Sequence, residues 1–253
     1  MEEQKFPTQK IELPSKGLIY PEDNPLSSGF IELKYPTAKE EDILTNTNLV
    51  NKGTAVKEFI NSLIVDKSVK QNTMIMGDRN KMIFAGRIMA YGSQYVTEIT
   101  CRNCGTSNEI ELNLNEFEDV KIDETKLNRE NEFDFALPNS KVNITYKILT
   151  VSDEDTIDTI SKRLGKKFKG NTHENTNRLK QTIIAIEGDR DKSKIAEFID
   201  LMPTKDTLAL REEIRKNSPN IDLTLSYDCE QCSYEGEAQL PLGVGFFWPS
   251  ARV

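Results

Sequence analysis

The chain has 253 residues, with 33 Lys and Arg against 41 Asp and Glu, a formal charge of −8, and 37% hydrophobic residues. That length and composition support one large folded domain or two smaller ones and exclude a disordered chain. The acidic balance disfavours nucleic acid and anionic membranes, which reward clustered positive charge. No apolar run approaches the roughly 18 residues of a membrane helix, and MEEQKFPTQK lacks the regions of a secretion signal, so a soluble, non-secreted protein is expected.

Residues 1–27 read as an extended arm, because KIELPSKGLIYPEDNPLSSG mixes Pro, Gly and Ser with isolated apolar residues. Leu13, Pro14 and Tyr20 are its candidate partner contacts. Residues 28–116 open with the alternating strand GFIELKY, and Thr37 with Glu40 then forms a capping-box pattern. Helical segments AVKEFINSLIVD and RNKMIFAGRIMAYG follow, with Asp78 as candidate N-cap of the second. A strand then leads into Cys101 and Cys104.

After a linker over 117–131, the same order recurs in 132–242. KVNITYKI is the strand, and Thr150 with Asp153, or Ser152 with Asp155, marks the helix start. RLKQTIIAIEGD and KDTLALREEIRKN are the expected helices, and IDLTLSY leads into Cys229 and Cys232. This predicts an α+β protein of two related halves, each strand-helix-helix-strand-CxxC-strand, produced by internal duplication and joined by a zinc-ribbon-like site. An insert carrying Arg163, Lys166, Lys167 and Lys169 reads as a solvated loop, with partner docking as the alternative. The tail, 243–253, concentrates Phe246, Phe247, Trp248 and Pro249, which either tuck into the chain's own core or anchor in a partner's pocket.

The four cysteines form two CxxC pairs separated by residues 105–228. Each pair sits between alternating β-rich segments, so each is expected at a hairpin tip, with the tight turn pointing both thiolates one way. Two such knuckles close a tetrahedral site with Cys101, Cys104, Cys229 and Cys232 as ligands of one structural zinc; with four protein ligands no position stays open for catalysis. A redox CxxC would instead sit at a helix N-terminus after a strand. A nucleic-acid-binding ribbon would need a basic surround, whereas Glu98, Glu109, Glu111, Asp228, Glu230, Glu235 and Glu237 flank these pairs. The single histidine, His173, lies in the polar stretch GNTHENTN, and no nucleotide-binding, EF-hand or HExxH pattern occurs, so no enzyme, nucleic-acid or small-molecule role is expected.

Three segments, LPSKGLIYPEDNPLSSGFIELKYPTAKEEDIL, GDRNKMIFAGRIMAYG and LPLGVGFFWP, resemble the baseplate hub proteins of T-even-like contractile-tailed bacteriophages. The resemblance runs from about residue 12 to residue 249. It implies a non-enzymatic part of the tail baseplate, either in the virion or as a chaperone of hub assembly absent from it, with other baseplate and tail proteins as partners. It also implies assembly in the reducing host cytoplasm, where thiols favour zinc over disulfides. Some relatives of this kind lack one or both CxxC pairs, which makes zinc a stabilising option within the family. The remaining alternative is a zinc-ribbon accessory factor for nucleic acid.

Overall fold

The computed structural model describes residues 7–167 and 173–247. In the first half, β1 (Thr8–Glu12) pairs antiparallel with β2 (Phe30–Lys34), Ile11 opposite Ile31. Helices α1 (Ala38–Thr45), α2 (Thr47–Lys52), α3 (Ala55–Leu63) and α4 (Met76–Tyr91) follow, then the hairpin β3 (Gln94–Thr100) and β4 (Ser107–Asn113). In the second half, β5 (Phe133–Ala136) pairs with β6 (Asn143–Tyr146), followed by α5 (Val151–Lys167), α6 (Glu174–Thr182) and β7 (Ile183–Ile186). Helices α7 (Lys192–Leu201) and α8 (Thr204–Asn217) then lead to the hairpin β8 (Thr224–Asp228) and β9 (Glu235–Gln239). Among the described residues no helix is long and apolar enough to cross a membrane.

The halves match in their bonds as well as their order. Thr37 donates its N–H to Glu40, which is also paired with Lys34 at 2.6 Å; Thr150 donates its N–H to Asp153, which is paired with Lys147 at 2.7 Å. The capping box expected at Thr37 is therefore formed, and of the two starts offered for the second helix the Thr150–Asp153 pair is the one that caps. The main chain after α3 and that after α6 also return to equivalent places. Val65 N–H donates to Glu32 C=O at 3.1 Å beside the Leu33–Ile64 bridge, and Glu187 N–H donates to Asn143 C=O at 2.8 Å beside Ile144–Ile186.

Three local expectations change. The stretch RLKQTIIAIEGD is not one helix: α6 stops at Thr182, and the Ile-rich Ile183–Ile186 joins β6 as a strand, where β-branched side chains pack without crowding a helical turn. Helix α4 begins at Met76, so Asp78 is its third residue and not its N-cap. The segment read as an arm supplies β1 and then a packed loop, in which Leu13, Pro14, Ile19 and Tyr20 are buried.

Asp78 has no solvent exposure and is held across the fold by that loop. It accepts from Ser15 N–H (3.0 Å), Ser15 Oγ (2.7 Å) and Tyr20 OH (2.5 Å). Burial outweighs these donors and leaves its carboxyl above the ordinary aspartate value. Asp206, the third residue of α8, is equally buried and accepts N–H from Asn139 (2.7 Å) and Ser140 (2.9 Å) in the loop between β5 and β6. There the burial penalty is overcome by main-chain donors, and its carboxyl sits below the ordinary value. The loops carry the same lead-in, Leu13-Pro14-Ser15 and Leu137-Pro138-Asn139, with both leucines fully buried.

One contiguous core spans the halves, and the C-terminal turn Val244–Phe247 closes it. Phe247 meets Phe59 edge-on at 4.7 Å, and Phe246 stacks with Phe84 at 5.6 Å and tilts against Tyr95 at 5.2 Å. The buried Arg87 guanidinium donates to Phe246 C=O (3.1 Å) and Gly92 C=O (3.0 Å). Helix α4 also crosses the chain just before β8 at Gly77, where a Cβ would lie 1.8 Å from Pro219 O. A side chain there must push the halves apart. Gly77→Ala is expected to cost about 3 kcal/mol, at the upper end for overpacking, read as a lowered midpoint in chemical denaturation.

Candidate metal centre

Each CxxC forms the tip of a hairpin, as its flanking alternation predicts. In the first, Cys101 N–H donates to Thr106 C=O at 2.8 Å and Gly105 N–H to Cys101 C=O at 2.9 Å. In the second, Cys229 N–H donates to Tyr234 C=O at 3.0 Å and Ser233 N–H to Cys229 C=O at 2.8 Å. The residue after each second cysteine is left-handed, Gly105 at φ 76° and Ser233 at φ 53°. This backbone reversal brings both thiols of a pair to one side.

The hairpin tips face each other so that sulfurs approach across the pair of knuckles. Cys101 Sγ lies 3.8 Å from Cys232 Sγ, Cys104 Sγ lies 3.6 Å from Cys229 Sγ, and all four fall within 4.8 Å of one another. These distances are well beyond a disulfide bond, about 2.05 Å. They approach the edge of a tetrahedron of sulfurs around a dication with bonds of about 2.3 Å, which is about 3.8 Å. Cys101 and Cys229 are buried, Cys232 is half-buried and Cys104 is exposed, so the cage is dry beneath and open at one corner.

Charge makes the same point. Cys104 is held down to about 6 by the Thr106 hydroxyl and main-chain N–H, with help from neighbouring thiols. Although the Asn103 carboxamide donates to Cys232 Sγ at 3.5 Å, burial and hydrogen bonds with the Cys104 and Cys229 sulfurs push that thiol up to about 11. Four thiolates cannot accumulate here unaided, and a soft dication in their centre removes the repulsion. The donor set, four thiols and no carboxylate or imidazole, fits a closed structural zinc site and offers no position for a substrate.

Polar groups lock the hairpins independently of any ion. Glu230 N–H donates to the buried Asn108 Oδ1 at 3.1 Å, and Asn108 Nδ2 donates to Ile99 C=O and Thr106 C=O. At the equivalent place in the first knuckle, Arg102 N–H donates to Tyr227 OH at 3.3 Å. The seven acidic side chains around the knuckles, Glu98, Glu109, Glu111, Asp228, Glu230, Glu235 and Glu237, are all exposed. They form an acidic collar that repels phosphate.

The other sequence candidates are placed differently. Leu13, Pro14, Tyr20, Phe246 and Phe247 are buried inside the chain, so these five have no free surface to offer a partner; their apolar area is spent closing the core. For the two phenylalanines this is the first of the alternatives that the sequence left open. Trp248 and Pro249 lie outside the described residues, as does Lys169. Arg163 and Lys166 are on the last turns of α5, in a helix and not in a loop. Asn108, Tyr227 and Arg87 were not visible as functional residues, because each has a decisive partner more than a hundred residues away.

A family model described as T4 bacteriophage base plate protein matches residues 8–248. No curated protein and no solved structure matches.

The left-handed positions give a direct test of the knuckle geometry. Ser233→Gly relieves a strained φ and is expected to stabilise by up to about 1 kcal/mol, whereas Gly105→Val destabilises by at least as much; thermal midpoints of the two variants should move in opposite directions.

Proposed function

The chain belongs to the T4 bacteriophage base plate protein family, and from that we propose that it is a non-enzymatic structural and assembly component of the hub region of a contractile tail, pinned internally by zinc. The observation that carries the baseplate part is the family match over residues 8–248. The observation that carries the zinc is the four-sulfur cage, whose ligands come in equal number from two hairpins distant in sequence. Zinc here ties one half to the other and performs no chemistry on a substrate. Its ligands must be reduced thiols, which a reducing host cytoplasm preserves, and zinc binding releases their protons.

The halves descend, on this reading, from an internal duplication whose units begin at β1 and β5. The paired positions Leu13 and Leu137, Thr37 and Thr150, Asp78 and Asp206, and Cys101 and Cys229 support it, each pair making the same kind of bond or burial. Neighbouring baseplate proteins are met through the two ends of the chain. Pro7 and Leu13 bond to β2 partners, which leaves the main chain of Thr8, Lys10 and Glu12 facing outward along the free edge of β1. An extended segment of a neighbour can add a strand there. Trp248 and Pro249 are the proposed contacts at the other end. The acidic collar disfavours the nucleic-acid reading, because such a ribbon would present phosphates with like charge.

Two measurements test this. Mass spectrometry of purified phage particles is expected to find the protein at a fixed stoichiometry with other tail proteins; absence from finished particles would replace the virion role with that of an assembly chaperone. Elemental analysis is expected to find one zinc per chain, lost together with several degrees of thermal stability in the Cys101→Ser, Cys229→Ser double variant. Disulfides at both pairs in protein from reducing extract would overturn the zinc centre.

A further inference from the structure

We propose that copies of this chain associate head to tail, through a second version of a contact that already joins its own two halves. The internal contact is a short antiparallel bridge between the residues preceding two helices. Met76 N–H donates to Leu149 C=O at 3.2 Å, and Val151 N–H donates to Met74 C=O at 2.8 Å, around the bridged pair Ile75 and Thr150. One side, 74–76, belongs to the first half and leads into α4; the other, 149–151, belongs to the second and leads into α5.

Each side has a counterpart in the opposite half, and the counterparts are unpaired. Aligning Asp78 with Asp206 places Met202, Pro203 and Thr204 where Met74, Ile75 and Met76 stand, with Ile75 and Pro203 both at the helix N-cap. Aligning the capping threonines places Pro36, Thr37 and Ala38 where Leu149, Thr150 and Val151 stand. Among the described residues, no hydrogen bond uses Met202 C=O, Thr204 N–H, Pro36 C=O or Ala38 N–H. Those are the four groups equivalent to the two donors and two acceptors of the internal bridge. None of the six residues is fully buried.

The sequence differences fit this use. Neither bridge bond involves the N–H of the central residue, so proline at 203 costs the contact nothing. The Ile75 N–H is instead spent on Tyr20 OH at 3.1 Å, in a long loop that the second half replaces with the short turn after β5. Leu201, which is 85% exposed, stands where the first half has the Gln71–Thr73 turn packed against α5. In the second contact it would lie against α1 of the next copy. Lys205 occupies the position of Gly77, so the close crossing at Pro219 is not repeated. The intermolecular contact is accordingly smaller than the internal one and reversible. Because its two faces differ, it propagates into a chain or closes into a ring and does not stop at a two-fold dimer.

The inference rests on the correspondence of the halves, and it can fail separately from the zinc centre. Ala38 and Thr204 are each the first residue of a helix, where proline is accommodated, and each is preceded by extended backbone, Thr37 at ψ 175° and Pro203 at ψ 141°. Ala38→Pro and Thr204→Pro therefore remove one bridging N–H each without disturbing the fold. Sedimentation of the full-length protein over a concentration series is expected to show wild-type mass rising beyond that of a dimer. Each variant alone should remain monomeric, with an unchanged thermal midpoint and zinc content. An equimolar mixture of the two should form dimers and nothing larger, since each retains the face that the other lacks. A wild-type protein that stays monomeric, variants that associate as wild type does, or a mixture that stays monomeric would each overturn the proposal.

Discussion

A carboxylate taken fully out of water must find donors that reproduce its hydration, and at Asp78 and Asp206 those donors come from a loop distant in sequence. Each carboxylate sits on the first turn of the helix that runs on to a CxxC hairpin, and each is gripped by the loop of the opening hairpin of its half. The loop and the helix are thereby fixed relative to one another, and the strand leaving that helix is aimed. Everything downstream inherits this alignment, including where the two thiols of each knuckle point. The two sites solve the same problem at different electrostatic expense. Burial leaves the Asp78 carboxyl high in spite of its donors, whereas at Asp206 the bonds from Asn139 and Ser140 outweigh burial and hold the carboxyl low.

With each knuckle aimed by its own half, the meeting of the four sulfurs depends on how the halves pack. Three unrelated devices act at that boundary: the glycine crossing at Gly77, the bridge at Ile75 and Thr150, and the polar lock of Asn108 and Tyr227 between hairpins. The sulfur cage lies downstream of these contacts and adds to them.

Much of this was legible in the chain. The CxxC pairs, their β-rich flanks and the capping threonines are local signals, and each became the expected local structure. The failures were of two kinds. Ile183–Ile186 follows a helical segment directly and has no turn residue to mark the change, so its period alone could not separate strand from helix. The roles of Leu13, Tyr20, Asp78 and Arg87 depend on partners far away in sequence. The likeness of Leu13-Pro14-Ser15 to Leu137-Pro138-Asn139 is masked by loops of very different length, and the Pro, Gly and Ser between β1 and β2 made a folded segment resemble a free arm.

The C-terminal turn carries one more consequence. Phe246 and Phe247 fill a pocket made by Phe59, Phe84 and Tyr95 of the first half, and Arg87 has the carbonyl of Phe246 as a hydrogen-bond acceptor. Until those two residues are in place, the N-terminal half keeps an open aromatic cleft around a cation stripped of part of its solvation. A chain that stops before Phe246 leaves that cleft unfilled and carries a defective core, so its folded population falls.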